Sequence, residues 1–467
     1  MDPRWWLPGV IVVEFNQRLS PGSIFGFTDS VSDESKKYGS WLDVTKLRKL
    51  VGNLLVKPPE WTFSFKPGQV PSRPNYERFI TFNLRPEVDV PAIAKKLSEV
   101  GGVVRATPEP ILSPPIPYIP LRATEMAMAD SVSDDVEAGL RDEPLAVSGG
   151  QSFGVQVNVG TAQLQNQWYL FRSNLDAVVE SGINGTGVVV AAVDWGFNVD
   201  HQEFQDRIKF KYNAAQDNND LSSGPRRWHG TASLGLIGAG DNDAGMLGFA
   251  SGADLWAIQG QDSGSNLNNQ CWAQAIEKAI DEPSGGKRKV ILIEASTNGG
   301  FNVEASTTLR VPIMAAIEDG CVVCVAAGNR GVDAKKAPNN AQIPESGSIL
   351  VGATQYRANQ DDIRRGISNW GSRIVVSAPG ELSSDVTCCD CGPDSYTNSF
   401  GGTSGASAKV AGAMALLLQA HPHLTHSQIV DVLKTRMPQI TTSDRPMGCF
   451  LDIEELMEQV DLYLSEQ

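Results

Sequence analysis

The stretch Gly401-Gly402-Thr403-Ser404-Gly405-Ala406-Ser407-Ala408 runs directly into an apolar segment over residues 410–418. A serine hydroxyl is a poor nucleophile. A protein that uses one must expose it at a tight turn, set a base beside it and supply hydrogen-bond donors for the oxyanion. Small residues on both sides of Ser404 leave room for a substrate backbone. The Ala- and Leu-rich continuation reads as a buried helix with Ser404 at its electropositive N-terminal end. Taken alone, the segment is better read as a Gly/Ser turn capping a core helix, so its meaning depends on partners elsewhere.

Two such partners stand upstream. Residues 187–193 form a β-branched, apolar run that reads as a buried parallel strand, and it ends on Asp194-Trp195-Gly196, where an α/β protein places functional groups. His229-Gly230-Thr231-Ala232-Ser233 then reads as the start of a helix with the histidine in its first turn. The chain order is Asp, His, Ser. Residues 321–327 read as a further strand leading into Gly328-Asn329-Arg330-Gly331.

These residues resemble the subtilisin-like serine proteases. Asp-x-Gly after a strand, His-Gly-Thr opening a helix and Gly-Thr-Ser-x-Ala opening a later helix are similar to the three signatures of that family. The segment around Asn329 resembles its Ala-Ala-Gly-Asn stretch. The resemblance covers residues 167–437 and implies a doubly wound, mostly parallel α/β sheet. It implies that Ser404 attacks a scissile carbonyl and that His229 moves the proton, a task suited to an imidazole with an ordinary pKa near 6.5. Asp194 would orient that imidazole, and Asn329 with the Ser404 N–H would bind the oxyanion. Residues 294–298, Glu-Ala-Ser-Thr-Asn, stand where the family has an Asn-x-Ser-Leu-Gly-like strand. Ser296, Thr297 and Asn298 are thereby expected to line the substrate cleft and to make that wall more polar.

The chain departs from the family pattern at two further places. Trp195 stands where serine or threonine usually follows the aspartate, and Gly405 to Ala408 replace Met-Ala-x-Pro. The rival reading for a doubly wound sheet is dinucleotide binding, which needs G-x-G-x-x-G after the first strand. Here Gly185 and Gly187 precede it, so hydride transfer fails on position.

The elements that must carry this constellation can be read more coarsely. Further strands are expected over 255–259, 290–294 and 349–353, and helices over 272–280, 308–318, 427–435 and 452–464. Strands alternating with helices predict a parallel sheet covered on both faces. Upstream, residues 10–15, 61–65, 79–84 and 103–107 read as strands, with helices over 44–55 and 90–100. This is the βαββαβ order of a small α+β, ferredoxin-like module. Alone it could serve ligand binding or dimerisation; before a subtilase domain it resembles the family's propeptide, an intramolecular inhibitor. The expected organisation is therefore a propeptide-like domain over 1–112, a Pro-rich then acidic linker with the maturation site over 113–160, and a catalytic domain over 161–467.

Composition bounds the partners. The chain has 467 residues, 41% of them hydrophobic and 20% charged, enough for a large core and more than one domain. A net charge of -15 argues against nucleic acid and anionic membranes as partners, while the resemblance implies a protein or peptide as substrate. The N-terminus lacks a basic segment followed by a sustained apolar core, so a cytoplasmic location is expected, with export by another route left open. The longest apolar stretch is too short to span a bilayer.

The weaker features point to no cofactor. Seven cysteines fit poorly with a complete disulfide framework. Cys321 and Cys324 are expected as reduced core residues. Cys388, Cys389 and Cys391 read as free thiols or a local disulfide rather than a zinc site, because no second pair stands at ligand spacing. Asp241-Asn242-Asp243 offers oxygens to calcium but reads first as a solvated turn. Arg226 and Arg227 are expected in solvent, as are His421, His423 and His426. The functional expectation is a self-inhibited serine endopeptidase acting through an acyl-enzyme. The alternatives are a catalytically weak subtilase used as a scaffold and a processing protease dedicated to one partner.

Overall fold

The computed structural model describes residues 6–19, 21, 42–64, 73–113, 167–224, 226–242, 245–261, 269–297, 299–337, 340–356, 362–381, 385–390, 392, 395–441 and 445–467. From residue 114 on, the expected linker lies outside them, as do Asn298, Asp243 and Cys391.

The N-terminal module contains β1 (Trp6–Phe15), α1 (Val44–Val51), β2 (Glu60–Trp61), β3 (Phe79–Asn83), α2 (Val90–Leu97) and β4 (Val103–Pro110). Its strands form a sheet in the order β2-β3-β1-β4, with β1 antiparallel to both β3 and β4. The alternation of β1 decides what each face does. Ile11, Val13 and Phe15 pack with Leu47, Val51 and Leu97 of the module's own helices. Val12 points the other way and, with Phe63, Tyr76 and Phe79, joins a cluster built around Trp272, Ile276 and Leu309.

Both helices start on an aspartate: Asp43 accepts the Lys46 N–H at 2.8 Å and Asp89 the Ala92 N–H at 3.1 Å, which fixes their first turns. The first helix is shorter than its periodicity suggests, because the chain turns at residues 52–54 and Leu55 bridges to Leu84. The second strand is also short. Phe63 leaves the sheet to pack its ring, tilted, against Tyr76, centroid to centroid at 4.2 Å.

After β5 (Leu112–Ser113), the larger unit comprises α3 (Trp168–Arg172), α4 (Leu175–Glu180), β6 (Val188–Asp194), β7 (Ile208–Asn213), α5 (Arg227–Gly238), β8 (Asp254–Gln259), α6 (Asn269–Asp281), β9 (Arg288–Ile293), β10 (Ser296–Thr297) and α7 (Thr307–Glu318). It continues with β11 (Val322–Ala326), β12 (Ile349–Gln355), β13 (Ile363–Arg364), β14 (Val376–Pro379), β15 (Asp385–Cys388), β16 (Tyr396–Phe400), α8 (Gly402–Ala420), α9 (His426–Thr435), β17 (Cys449–Phe450) and α10 (Ile453–Ser465). The sheet order is β17-β14-β12-β11-β9-β6-β8-β7, parallel throughout this path, with β13 antiparallel to β12.

The unbroken apolar run of β6 follows from burial on both faces. Val188, Val190 and Ala192 pack towards α5 and α8, whereas Val189, Ala191 and Val193 pack towards α6 and α7. Among the described residues no helix is long and apolar enough to cross a membrane. Cys321, Cys324, Cys388 and Cys449 are free and buried, and Cys389 is disulfide-bonded. His426 is buried rather than in solvent: its Nδ1 accepts the Val323 N–H at 3.3 Å and its Nε2 meets Gly347 O at 2.9 Å.

The two units meet along α6 and α7. The Tyr76 hydroxyl donates to Glu277, while Arg73 reaches Glu277 at 3.1 Å and Asp281 at 2.9 Å. Glu109, buried, accepts from Asn269 Nδ2 at 2.7 Å and from the Ser306 hydroxyl. Asn269 opens α6 and Ser306 is the N-cap of α7, so this carboxyl sits at two electropositive helix ends. Beyond it, β5 lies antiparallel on β10, Leu112 opposite Thr297 and Ser113 opposite Ser296.

Candidate functional site

Three strands deliver the site. In the parallel pair β6–β9, Val193 is opposite Ile293, so the next residues, Asp194 and Glu294, stand side by side at the carboxyl ends of neighbouring strands. Next to β9, β11 leads into Asn329. This is the edge at which open α/β sheets bind ligands.

Helix α5 brings His229 over that edge. The Thr231 hydroxyl fixes its entry by accepting the Asn198 N–H at 2.8 Å and donating to Arg227 O at 2.6 Å. His229 Nδ1 lies 2.9 and 2.8 Å from the two Asp194 oxygens, and its Nε2 is 3.2 Å from Ser404 Oγ. The rings of Trp228 and Phe400 flank the imidazole edge-on at 5.3 and 5.2 Å and keep water from it. Asp194 is 0% exposed, and His229 and Ser404 are 1% exposed.

Ser404 occupies the first turn of α8, which Thr403 anchors. Its hydroxyl accepts the Gly328 N–H at 3.2 Å, and its N–H donates to Asn329 Oδ1 at 3.0 Å. Because an N–H must face an acceptor, this contact fixes the amide orientation and turns Asn329 Nδ2, a donor, away from Thr403. Glycine is required at 402: φ is +65°, and a Cβ there would lie 3.0 Å from Asn329 Oδ1.

The structure thus brings Asp194, His229, Ser404 and Asn329 together. Ser296 and Thr297 form β10, buried against the module's last strand, while Asn298 lies outside the described residues. Trp195, the unexpected neighbour of Asp194, is buried edge-on against Trp272 at 5.1 Å with the Arg226 guanidinium over its ring at 5.4 Å. Arg227 is also engaged, 3.4 Å from Asp390. Arg226 is exposed, as expected, with its guanidinium over Trp195, whereas Arg227 is half-buried. The Asn242 amide N–H donates to Glu203, which ties this side chain internally.

Sequence reasoning treated Glu294 as part of the cleft wall, and the structure places it behind the imidazole instead. Its carboxyl hydrogen-bonds Asp194, takes the Ser233 hydroxyl, lies 3.2 Å from Ser407 Oγ and stands 3.7 Å from His229 Nδ1. The available signal was an apolar strand ending in a carboxylate, the same pattern that singled out Asp194. One ligand atom from each of Asp194, His229 and Glu294 falls within 4.8 Å of the others. Within the trio His229 Nδ1 is engaged by Asp194, and the Glu294 carboxyl by the Ser233 and Ser407 hydroxyls.

Burial sets the electrostatics. It lowers the imidazole of His229 to about 4, with Glu294 pulling upward and Arg226 adding to the fall. Burial likewise raises Asp194, against hydrogen bonds from Glu294, the Trp195 N–H and Ser233. Glu294 is pushed well above the usual carboxylate range by burial and by the adjacent Asp194. Such an arrangement keeps a neutral base beside a buried hydroxyl.

The sequence pattern of the Subtilase family matches residues 185–449. Subtilisin E from Bacillus subtilis (strain 168) is 31% identical over 261 residues, covering 56% of this chain and 62% of that protein. The extracellular serine proteinase of Thermus sp. (strain Rt41A) is 32% identical over 319 residues, 66% of this chain and 69% of its own length. The chain thus spans 62% of the length of Subtilisin E. Crystallised fervidolysin from Fervidobacterium pennivorans shares the fold at a TM-score of 0.60 and 19% identity, covering 98% of this chain and 62% of its own. A protease structure from Pseudoalteromonas arctica shares it at a TM-score of 0.53 and 24% identity, covering 64% and 98%. With a family match over more than half its length, the chain belongs to the subtilase family.

Proposed function

We propose that the chain is a serine endopeptidase that hydrolyses peptide bonds through an acyl-enzyme and is made as a self-inhibited zymogen. The observation that carries this reading is the continuous line from Asp194 through both nitrogens of His229 to Ser404 Oγ. Ser404 Oγ bonds to the scissile carbonyl carbon while its proton passes to His229 Nε2. The carbonyl electrons move onto an oxygen held by Asn329 Nδ2 and the Ser404 N–H. When the C–N bond breaks, Nε2 gives its proton to the leaving amine; a water then repeats the sequence on the acyl-enzyme. Asp194 holds the imidazolium in place and stabilises it.

Self-inhibition is supported by the path of β5. Leu112 and Ser113 pair with Thr297 and Ser296, so a segment of the same chain lies on the strand a substrate backbone would use. The module behind it is held by Arg73, Tyr76 and Glu109 on the two helices that flank that strand.

Fluorophosphonate labelling of the wild type beside Ser404→Ala, with intact mass followed over time, tests both halves. Labelling of the wild type alone, with loss of the mass of the module and linker, is the expected result. A wild type that stays unlabelled and full-length after limited proteolysis of the linker would leave the fold as a scaffold.

A further inference from the structure

We propose that Glu294 is a positioning residue of the triad that works in its protonated form: its carboxylic acid donates to the Asp194 carboxylate, and the pair carries a single negative charge. The inference rests on the peptidase reading above and goes beyond it, because the family pattern puts an asparagine at this place.

Proton counting leads there. Asp194 and Glu294 are both 0% exposed, stand side by side at the ends of paired strands and bring carboxyl oxygens within 4.8 Å of each other. Two buried carboxylates in contact cannot both ionise unless cations compensate them. β6 presents Asp194, α5 presents His229 and Ser233, and α8 presents Ser404 and Ser407. Arg226, ahead of α5, has its guanidinium over the Trp195 ring and lowers the His229 pKa. Among the described residues, the only group that could pair with Glu294 as a cation is His229, at 3.7 Å, and as a base it must be neutral. One proton therefore stays on the pair.

The neighbours decide which carboxyl holds it. Asp194 receives two donors of fixed direction, the Trp195 N–H at 2.6 Å and His229 Nδ1–H at 2.8 Å, which suit an anion. Glu294 faces the Ser233 and Ser407 hydroxyls, which rotate to donate or accept and so tolerate a neutral acid. Ser233 Oγ also lies 3.5 Å from Asp194 Oδ2, bridging the two. The acid proton of Glu294 thus fixes the Asp194 carboxylate behind the imidazole. Loss of that proton at high pH adds a second charge, which repels Asp194 and binds the imidazolium too tightly to release its proton to the leaving amine.

The test is the pH profile of kcat and KM for activated wild type, Glu294→Gln and Glu294→Asn, with Glu294→Ala as comparator. Both amides are neutral and keep a donor for Asp194. The expected result is kcat for the better amide within about threefold of wild type on the plateau, an alkaline limb displaced upward by more than about one pH unit, and KM unchanged. Alanine, which removes the donor, lowers kcat by about tenfold or more, as for one hydrogen bond to a charged group. An alkaline limb that stays in place in folded amide variants, or a rate loss in them equal to alanine's, overturns the proposal.

A second readout needs no activity. In the Ser404→Ala protein, infrared difference spectra against the Glu294→Gln double variant should show a protonated-carboxyl band at neutral pH that titrates at alkaline pH. Its absence in a folded pair refutes the protonated state whether or not the amide variants are active. The band, together with a wild type that shows no peptidase activity after removal of the module, would keep the proton assignment and sink the enzyme reading.

Discussion

Two fully buried glutamates in this protein are treated in opposite ways. Glu304, ahead of α7, is met by the Arg373 guanidinium at 2.6 Å, by the Ser346 and Ser348 hydroxyls at 2.5 and 2.7 Å and by Asn302 at 3.2 Å. Burial raises its pKa, but Arg373 and these donors outweigh burial and hold it below the usual value. Glu294 has the same exposure, no arginine against it among the described residues and a second carboxylate as neighbour, and its pKa is driven up. Where the fold needs only a cross-brace, the charge is compensated. At the nucleophile it is left to a proton; an arginine set against the Glu294 carboxyl would also neutralise Asp194, which supports the imidazolium.

The largest effect that separates the two regions is on rate. Ser404→Ala should lower kcat by a factor on the order of 10^6 while leaving thermal unfolding nearly unchanged. The Glu304 cluster, distant in role, should give the reverse pattern. Arg373→Met leaves an uncompensated buried carboxylate and should cost about 3–5 kcal/mol of stability, read from denaturant midpoints, with kcat of the folded fraction unaltered. Adding Glu304→Gln to Arg373→Met should restore much of that loss. If the double variant is no more stable than the single, Glu304 is not the charge that Arg373 compensates.

How much of this was readable beforehand follows from what is local. The strand ends carrying Asp194 and Asn329 and the helix starts carrying His229 and Ser404 are set by short apolar runs and small-residue turns, which one stretch of chain displays. The pairing of Asp194 with Glu294 is not local. It depends on β6 and β9 being neighbours in the sheet although β7 and β8 intervene in sequence, and on their register. Glu304 and Arg373 are likewise 69 positions apart with nothing in either segment to announce the other. His426 looked like a surface residue because the partners that bury it, Val323 and Gly347, come from distant elements.

A third buried carboxylate, Glu109, falls between the two. Burial raises it, whereas Ser306, Asn269, Thr308 and the nearby Arg310 oppose the rise without overcoming it. It belongs to the N-terminal module, so its energy should appear as docking rather than as folding of the larger unit. Glu109→Ala should weaken docking by about 1–3 kcal/mol, the loss expected for buried hydrogen bonds to a carboxyl. Faster fluorophosphonate labelling of the full-length chain would report it. A labelling rate equal to wild type, with the module still attached, would mean that β5 and the Arg73 contacts suffice.

The smallest effect is the pH dependence of stability, where the two glutamates should act with opposite sign. Glu304 has its folded pKa below the unfolded value, so its contribution is present above the ordinary glutamate range and is lost as pH falls through the folded value. Glu294 has its folded pKa above the unfolded value, so its contribution is complete in acid and is lost as pH rises through the folded value. His229, lowered to about 4, adds to the acid-side loss because the unfolded imidazole takes up its proton first. In the Ser404→Ala background, which prevents autolysis and keeps His229 in every variant, Glu294→Gln should flatten the alkaline fall and leave the acid fall alone. Glu304→Gln with Arg373→Met should do the reverse. An alkaline fall that is unchanged or steeper in Glu294→Gln would show that the active-site pair does not hold its proton, and the contrast between the two carboxylates would then reduce to one of neighbours rather than of charge.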